Sequence, residues 1–95
     1  MESSGYAPQM PLLCLHGPLR RLAGGSGEIE LDGATVLELL RELERVSPDA
    51  RGWILDERGM IRRHLNVYVG GEPGRESTAV AADARVQILP AITGG

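Results

Sequence analysis

The residues of this 95-residue chain that could do chemistry are few, and the most informative close the sequence. Gly94-Gly95 stands where no turn needs glycine. Without Cβ atoms, such a dipeptide can extend through a narrow channel and present an unhindered carboxylate. An adenylating enzyme needs that access, because the carboxylate oxygen must come in line with the α-phosphate of ATP. The other glycine pairs, Gly24-Gly25 and Gly70-Gly71, adjoin expected strands and read as turns. Neither opens a phosphate-cradling loop: the Gly-x-x-x-x-Gly-Lys-Ser/Thr pattern is missing, and all ten basic residues are arginine.

No catalytic constellation accompanies the ending. Cys14 falls inside an expected strand with no helix N-terminus to lower its pKa, so it reads as a small buried hydrophobe. His16 and His64 lack spaced Cys, His or carboxylate partners, and no metal site is expected. Asp56-Glu57 reads as a solvated pair in a turn. The dipeptides Arg20-Arg21 and Arg62-Arg63 could neutralise phosphate, but in a chain of net charge −3 they read better as a docking surface. That balance lacks the broad positive field of a nonspecific nucleic-acid binder. With no Phe, and only Trp53, Tyr6 and Tyr68 as aromatics, there is no stacking platform for single strands either. No apolar run approaches the roughly 20 residues that span a bilayer, and residues 1–8 have neither a basic nor an apolar region of a secretion signal. A single cysteine excludes an internal disulfide and fits a reducing cytoplasm.

The elements that must carry the tail follow from periodicity. Residues 1–9 read as a flexible leader, 10–90 as one domain and 91–95 as a flexible tail. Met10–His16 is an apolar run closed by Gly17-Pro18, Leu19–Ala23 reads as a bridging segment, and Glu28–Leu31 alternates with period two; the glycines before it predict an antiparallel hairpin. Thr35-Val36-Leu37-Glu38 matches a capping box. Behind it, Val36, Leu39, Leu40, Leu43 and Val46 form one apolar stripe, which predicts a helix over 35–46 ended by Ser47-Pro48. Trp53, Ile54 and Leu55 are expected to point at the core from a single-turn connection. Residues 62–69 alternate as a strand, 78–82 as a very short one, and 85–89 form the last strand, stopped by Pro90. A hairpin, one helix and further strands define an α+β domain: a mixed sheet of four to five strands on one main helix.

The final decapeptide, Val86-Gln87-Ile88-Leu89-Pro90-Ala91-Ile92-Thr93-Gly94-Gly95, resembles the last strand and tail of the ubiquitin-like sulfur carriers of the ThiS/MoaD group. Within that group it looks most like the carriers that serve cysteine synthase or sulfur-containing natural products. Leu19–Gly25, Gly33–Val36 and Arg63–Val69 agree as well, so the resemblance runs in order from about residue 10 to residue 95. It departs at the shorter, more polar 70–78 loop and at Ala82–Arg85, which concern partner choice rather than the tail.

The resemblance implies a β-grasp fold and a non-catalytic role. An E1-like adenylating enzyme would use ATP to convert the Gly95 carboxylate into an acyl-adenylate. Sulfide or a persulfide would displace AMP, and a sulfur-accepting biosynthetic enzyme would take the resulting thiocarboxylate. Gly95 would carry the sulfur, and Gly94 would be its slim neighbour. Pro90, Ala91, Ile92 and Thr93 would line the partner's channel. ATP would be used by the activating enzyme and not bound permanently by the carrier; no metal, nucleic acid or membrane is implied. The same ending also suits the small subunit of a molybdopterin synthase, or a ubiquitin-like modifier joined through Gly95 to a lysine of another protein.

Overall fold

The computed structural model describes residues 10–91. Five strands form one mixed sheet: β1 (Leu12–Leu15), β2 (Glu28–Glu30), β3 (Leu65–Val69), β4 (Glu72–Pro73) and β5 (Arg85–Pro90), in the order β2-β1-β5-β3-β4. The helix α1 (Val36–Val46) lies between β2 and β3 in sequence, and short 3-10 helices occupy Gly17–Ala23 and Pro48–Ala50. The hairpin, the helix and the last strand stand where periodicity places them, in an α+β β-grasp arrangement.

The sheet is centred on β5. It runs parallel to β1, from Leu12 opposite Arg85 to Leu15 opposite Ile88, and antiparallel to β3, from Leu65 opposite Pro90 to Val69 opposite Val86. A helix lies between β2 and β3, and the parallel pairing of β1 with β5 requires a long crossover, which the intervening chain provides. Alternation sends Leu13, Leu15, Val67, Val86 and Ile88 into the core, where they join Val36, Leu39, Leu40 and Leu43 of α1. Each such side chain contributes about 1.5–3 kcal/mol when fully buried.

The capping box closes with one change of partner. Thr35 Oγ1 accepts from the Glu38 N–H at 3.2 Å, whereas the Glu38 carboxylate accepts from Ala34 N–H at 2.8 Å, one residue before the cap. On the outer face Arg45 Nε donates to Glu42 Oε1 at 2.9 Å, and Arg41 lies 3.5 Å from Glu44.

Four expectations need correction. Val46 is 45% exposed, because the chain turns at Ser47-Pro48 and Ala50, at 1% exposure, covers that part of the core instead. Ile54 and Leu55 point inward, but Trp53 is 48% exposed and lies under the Arg21 guanidinium, 4.8 Å from the ring centroid. The short strand is Glu72–Pro73 rather than 78–82: Gly70 and Gly71, both at positive φ, make a two-residue hairpin loop that folds it back on β3. Around 78–82 there is only an isolated bridge between Thr35 and Ala79. Leu19–Ala23, read as a bridging segment, belongs to the Gly17–Ala23 3-10 helix, which buries Leu19, Leu22 and Ala23.

Candidate functional site

The site begins with the last strand. β5 is hydrogen-bonded on both sides, and Pro90 is its final residue, opposite Leu65. Proline donates no N–H, so it suits a strand end. The next residue continues the ladder, with Ala91 N–H donating to His64 O at 2.6 Å. On the other side His16 N–H donates to Ile88 O at 3.1 Å. Gly17 then turns away at a φ of +62°, and a Cβ there would stand 3.4 Å from Pro90 Cγ. The proline ring is therefore seated against the start of the 3-10 helix.

Pro90 and Ala91 are thus set between His16-Gly17 on the β1 side and His64-Leu65 on the β3 side. Ile92, Thr93, Gly94 and Gly95 lie outside the described residues, as does the leader 1–9. Sequence reasoning missed Gly17 as the seat of the tail. Its signal was the Gly17-Pro18 pair, read only as the end of a strand.

The other reactive side chains are tied up elsewhere. Cys14 is 4% exposed, and burial pushes its thiol up from the ordinary value. The Arg85 guanidinium, with Nη1 at 3.7 Å from Sγ, opposes that shift without reversing it. The sulfur therefore stays protonated at neutral pH, and only a thiolate is a good nucleophile. His16 Nε2 shares a hydrogen bond with Gln87 Oε1 at 3.1 Å, fixing the imidazole to β5. His64 is exposed and serves the site through its backbone carbonyl.

Asp56 has a structural task. Its Oδ1 accepts from the Arg58 and Met60 N–H groups at 2.8 and 3.0 Å, and these bonds, Met60's first, hold its carboxyl below the usual aspartate range. Arg62 Nε donates to Gly52 O at 2.6 Å, which fastens the 62–64 segment to the connection after α1. Among the described residues no three His, Cys, Asp or Glu side chains gather in a way that could hold a metal ion. No helix among them is long and apolar enough to cross a membrane. What this end of the molecule offers is a strand end held from both sides, as far as Ala91.

Known structures share this arrangement. A chain of the Amycolatopsis orientalis BexX/CysO complex is 30% identical, with a TM-score of 0.79 over 90% of this chain and 99% of that one. CysO of Mycobacterium tuberculosis is 27% identical, with a TM-score of 0.78 over 86% of this chain and 99% of its own. SAMP1 from Haloferax volcanii is 26% identical, with a TM-score of 0.77 over 90% of this chain and 98% of its own. No curated protein matches by sequence. The ThiS family model matches residues 14–95, from the middle of β1 through the terminal glycines. With the β-grasp sheet, the helix and the seated last strand on one continuous match, the chain belongs to the ThiS family.

Proposed function

We propose that this protein is a sulfur carrier. The Gly95 carboxylate attacks the α-phosphate of ATP on an E1-like enzyme, and pyrophosphate leaves. Sulfide then attacks the acyl carbon and AMP leaves, giving a thiocarboxylate; with a persulfide the same attack gives an acyl disulfide, from which a second thiol, ending as a disulfide with the donor's sulfur, releases the thiocarboxylate. A partner biosynthetic enzyme takes that sulfur as the donor for its own substrate. The carrier supplies no acid, base or bound cofactor, and its work is to dock and to reach.

The observation that carries the reading is the ThiS-family match through Gly94-Gly95, on a chain whose last strand holds Pro90 and Ala91 at one end of the sheet. Ile92 and Thr93 span the partner's channel, with Pro90 and Ala91, held in the sheet, at its mouth and Gly94 as the slim residue beside the reacting carboxylate. The similarity to CysO chains supports a role in a cysteine or natural-product branch of sulfur transfer. The similarity to an archaeal modifier protein favours one second reading, in which Gly95 is joined to a lysine amine of another protein.

The intact mass of the protein drawn from its native host separates them. A fraction heavier by one oxygen-to-sulfur exchange, localised to Gly95, is the expected result. Carboxylate alone, after incubation with ATP, sulfide and the host's adenylating enzyme, overturns the carrier reading. Higher-mass conjugates that disappear when Gly95 is deleted would establish the modifier.

A further inference from the structure

An activated Gly95 carbonyl is an electrophile tethered to the domain that carries it. As acyl-adenylate or as acyl disulfide, its carbon accepts any amine or thiolate within reach. In a folded protein the nucleophiles that keep an acyl group are lysine amines and cysteine thiolates. This chain has ten basic residues, all of them arginine, and a single cysteine. A guanidinium holds its proton in proteins and has no lone pair to offer. A lysine amine, by contrast, is unprotonated in a small fraction at neutral pH and is then a nucleophile.

Two residues of this kind lie within reach of the ending. Arg63 immediately precedes His64, whose carbonyl accepts from Ala91 N–H, so the Cα atoms of residues 63 and 91 are at most about 10 Å apart. Four residues follow Ala91, and extended they span at most about 14 Å. Arg63 is exposed, so a lysine in its place would present an amine inside that radius. Cys14 stands opposite Gln87 on β5, three residues before Pro90, or roughly 10 Å at strand rise. Its sulfur is nevertheless out of play: the residue is 4% exposed, Arg85 Nη1 lies 3.7 Å from Sγ, and burial keeps it as the thiol.

The other nucleophiles are remote or transient. The α-amine of the 95-residue chain precedes β1, which begins opposite Arg85. That is the opposite end of β5 from Pro90, about 16 Å away at strand rise. The imidazoles of His16 and His64 do not retain an acyl group, because acyl-imidazoles hydrolyse.

We propose that Arg63 and the burial of Cys14 determine acceptor specificity: they keep the folded domain from capturing its own activated ending and leave that ending to an external sulfur nucleophile. This rests on the sulfur-carrier reading for the activation itself. The determinant at 63 is chemical type and not charge, since lysine would keep the charge and supply the lone pair. In the capture so avoided, the amine attacks the Gly95 carbonyl carbon and AMP or a thiol leaves with its electron pair. The ammonium proton passes to water. The amide that remains is not displaced by sulfide, and that copy is lost to sulfur transfer.

The test needs no partner enzyme. The chain is made as a Gly95 thioester of 2-mercaptoethanesulfonate by cleavage of an intein fusion, and its intact mass is followed at mildly alkaline pH. Wild type is expected to lose the thioester to water alone and end as the carboxylate. Arg63→Lys is expected to add a product one water lighter than the carboxylate and resistant to hydroxylamine, in an amount on the order of the hydrolysis product at the millimolar effective concentration of a short tether. Ala82→Lys, on an exposed residue before the start of β5, is expected to behave as wild type. In urea the wild-type acyl group is expected to pass to the released Cys14, giving a product one water lighter that hydroxylamine cleaves. Circular dichroism establishes that both variants are folded.

A product one water lighter from folded wild type overturns the proposal, whichever residue it maps to. Its absence from Arg63→Lys, or equal capture by Ala82→Lys, overturns the role of residue 63. A thioester that passes no acyl group to Cys14 in urea overturns the role of burial. The carrier reading is judged separately, with the adenylating enzyme and ATP. If the thioester behaves as expected but wild type yields no AMP there, the specificity stands and the carrier reading falls.

Discussion

Gly17 shows how much can hang on one residue without a side chain. Its φ of +62° lies where L-residues are strained, whereas a Cβ there would meet Pro90 Cγ at ordinary contact distance, 3.4 Å. Gly17→Ala is therefore expected to cost about 1–2 kcal/mol through the backbone alone, read as a lower urea midpoint at unchanged slope. An unchanged midpoint would show that the segment relaxes out of the left-handed conformation. At this scale the sequence was only partly legible. Thr35 as a cap is a local matter of a hydroxyl and an amide three residues on, and it reads directly. Trp53 does not: size and hydrophobicity send it inward, and only the remote Arg21 explains why it lies at the surface. Val46 continues a perfect stripe, yet burial of its neighbour Ala50 depends on a turn that periodicity does not describe.

Among the elements, α1 carries the clearest prediction. Leu40 is 1% exposed in the middle of the helix face that packs on the sheet. Leu40→Ala is expected to cost about 2–5 kcal/mol by lost burial and the cavity left behind; a chemical-denaturation midpoint equal to wild type would contradict the orientation of the helix. Long elements with strong alternation, such as β3 and β5, are visible in the sequence because each residue adds to the pattern. β4 has only Glu72 and Pro73, too few for any period, and its existence is owed to the hairpin loop at Gly70-Gly71 and to β3 beside it. The 3-10 helix at Gly17–Ala23 escapes for a similar reason, since Leu19, Leu22 and Ala23 face inward around two exposed arginines in a single tight stretch.

For the molecule as a whole, the described core and the ending proposed to carry sulfur are separate parts of the chain. The described core is closed by residues up to Ile88, and the last two residues of the sequence have no side chains to contribute to it. Removing Gly94 and Gly95 is accordingly expected to leave the melting temperature almost unchanged by calorimetry while abolishing AMP formation with the activating enzyme. A substantial fall in melting temperature would mean that the ending packs against the domain. Gly94 and Gly95, singled out by the sequence, lie outside the described residues, and it is the ThiS-family match that reaches them.

The central position of β5 has a mechanical meaning. A partner that grips the tail and pulls along it loads a strand bonded to β1 on one side and β3 on the other. Force in that direction shears both ladders together instead of peeling one bond at a time. An edge strand in the same role would have only one ladder to resist that shear. If the chain works as the proposed carrier, any pull on its ending is met by the one strand of the sheet that is paired along both edges over most of its length.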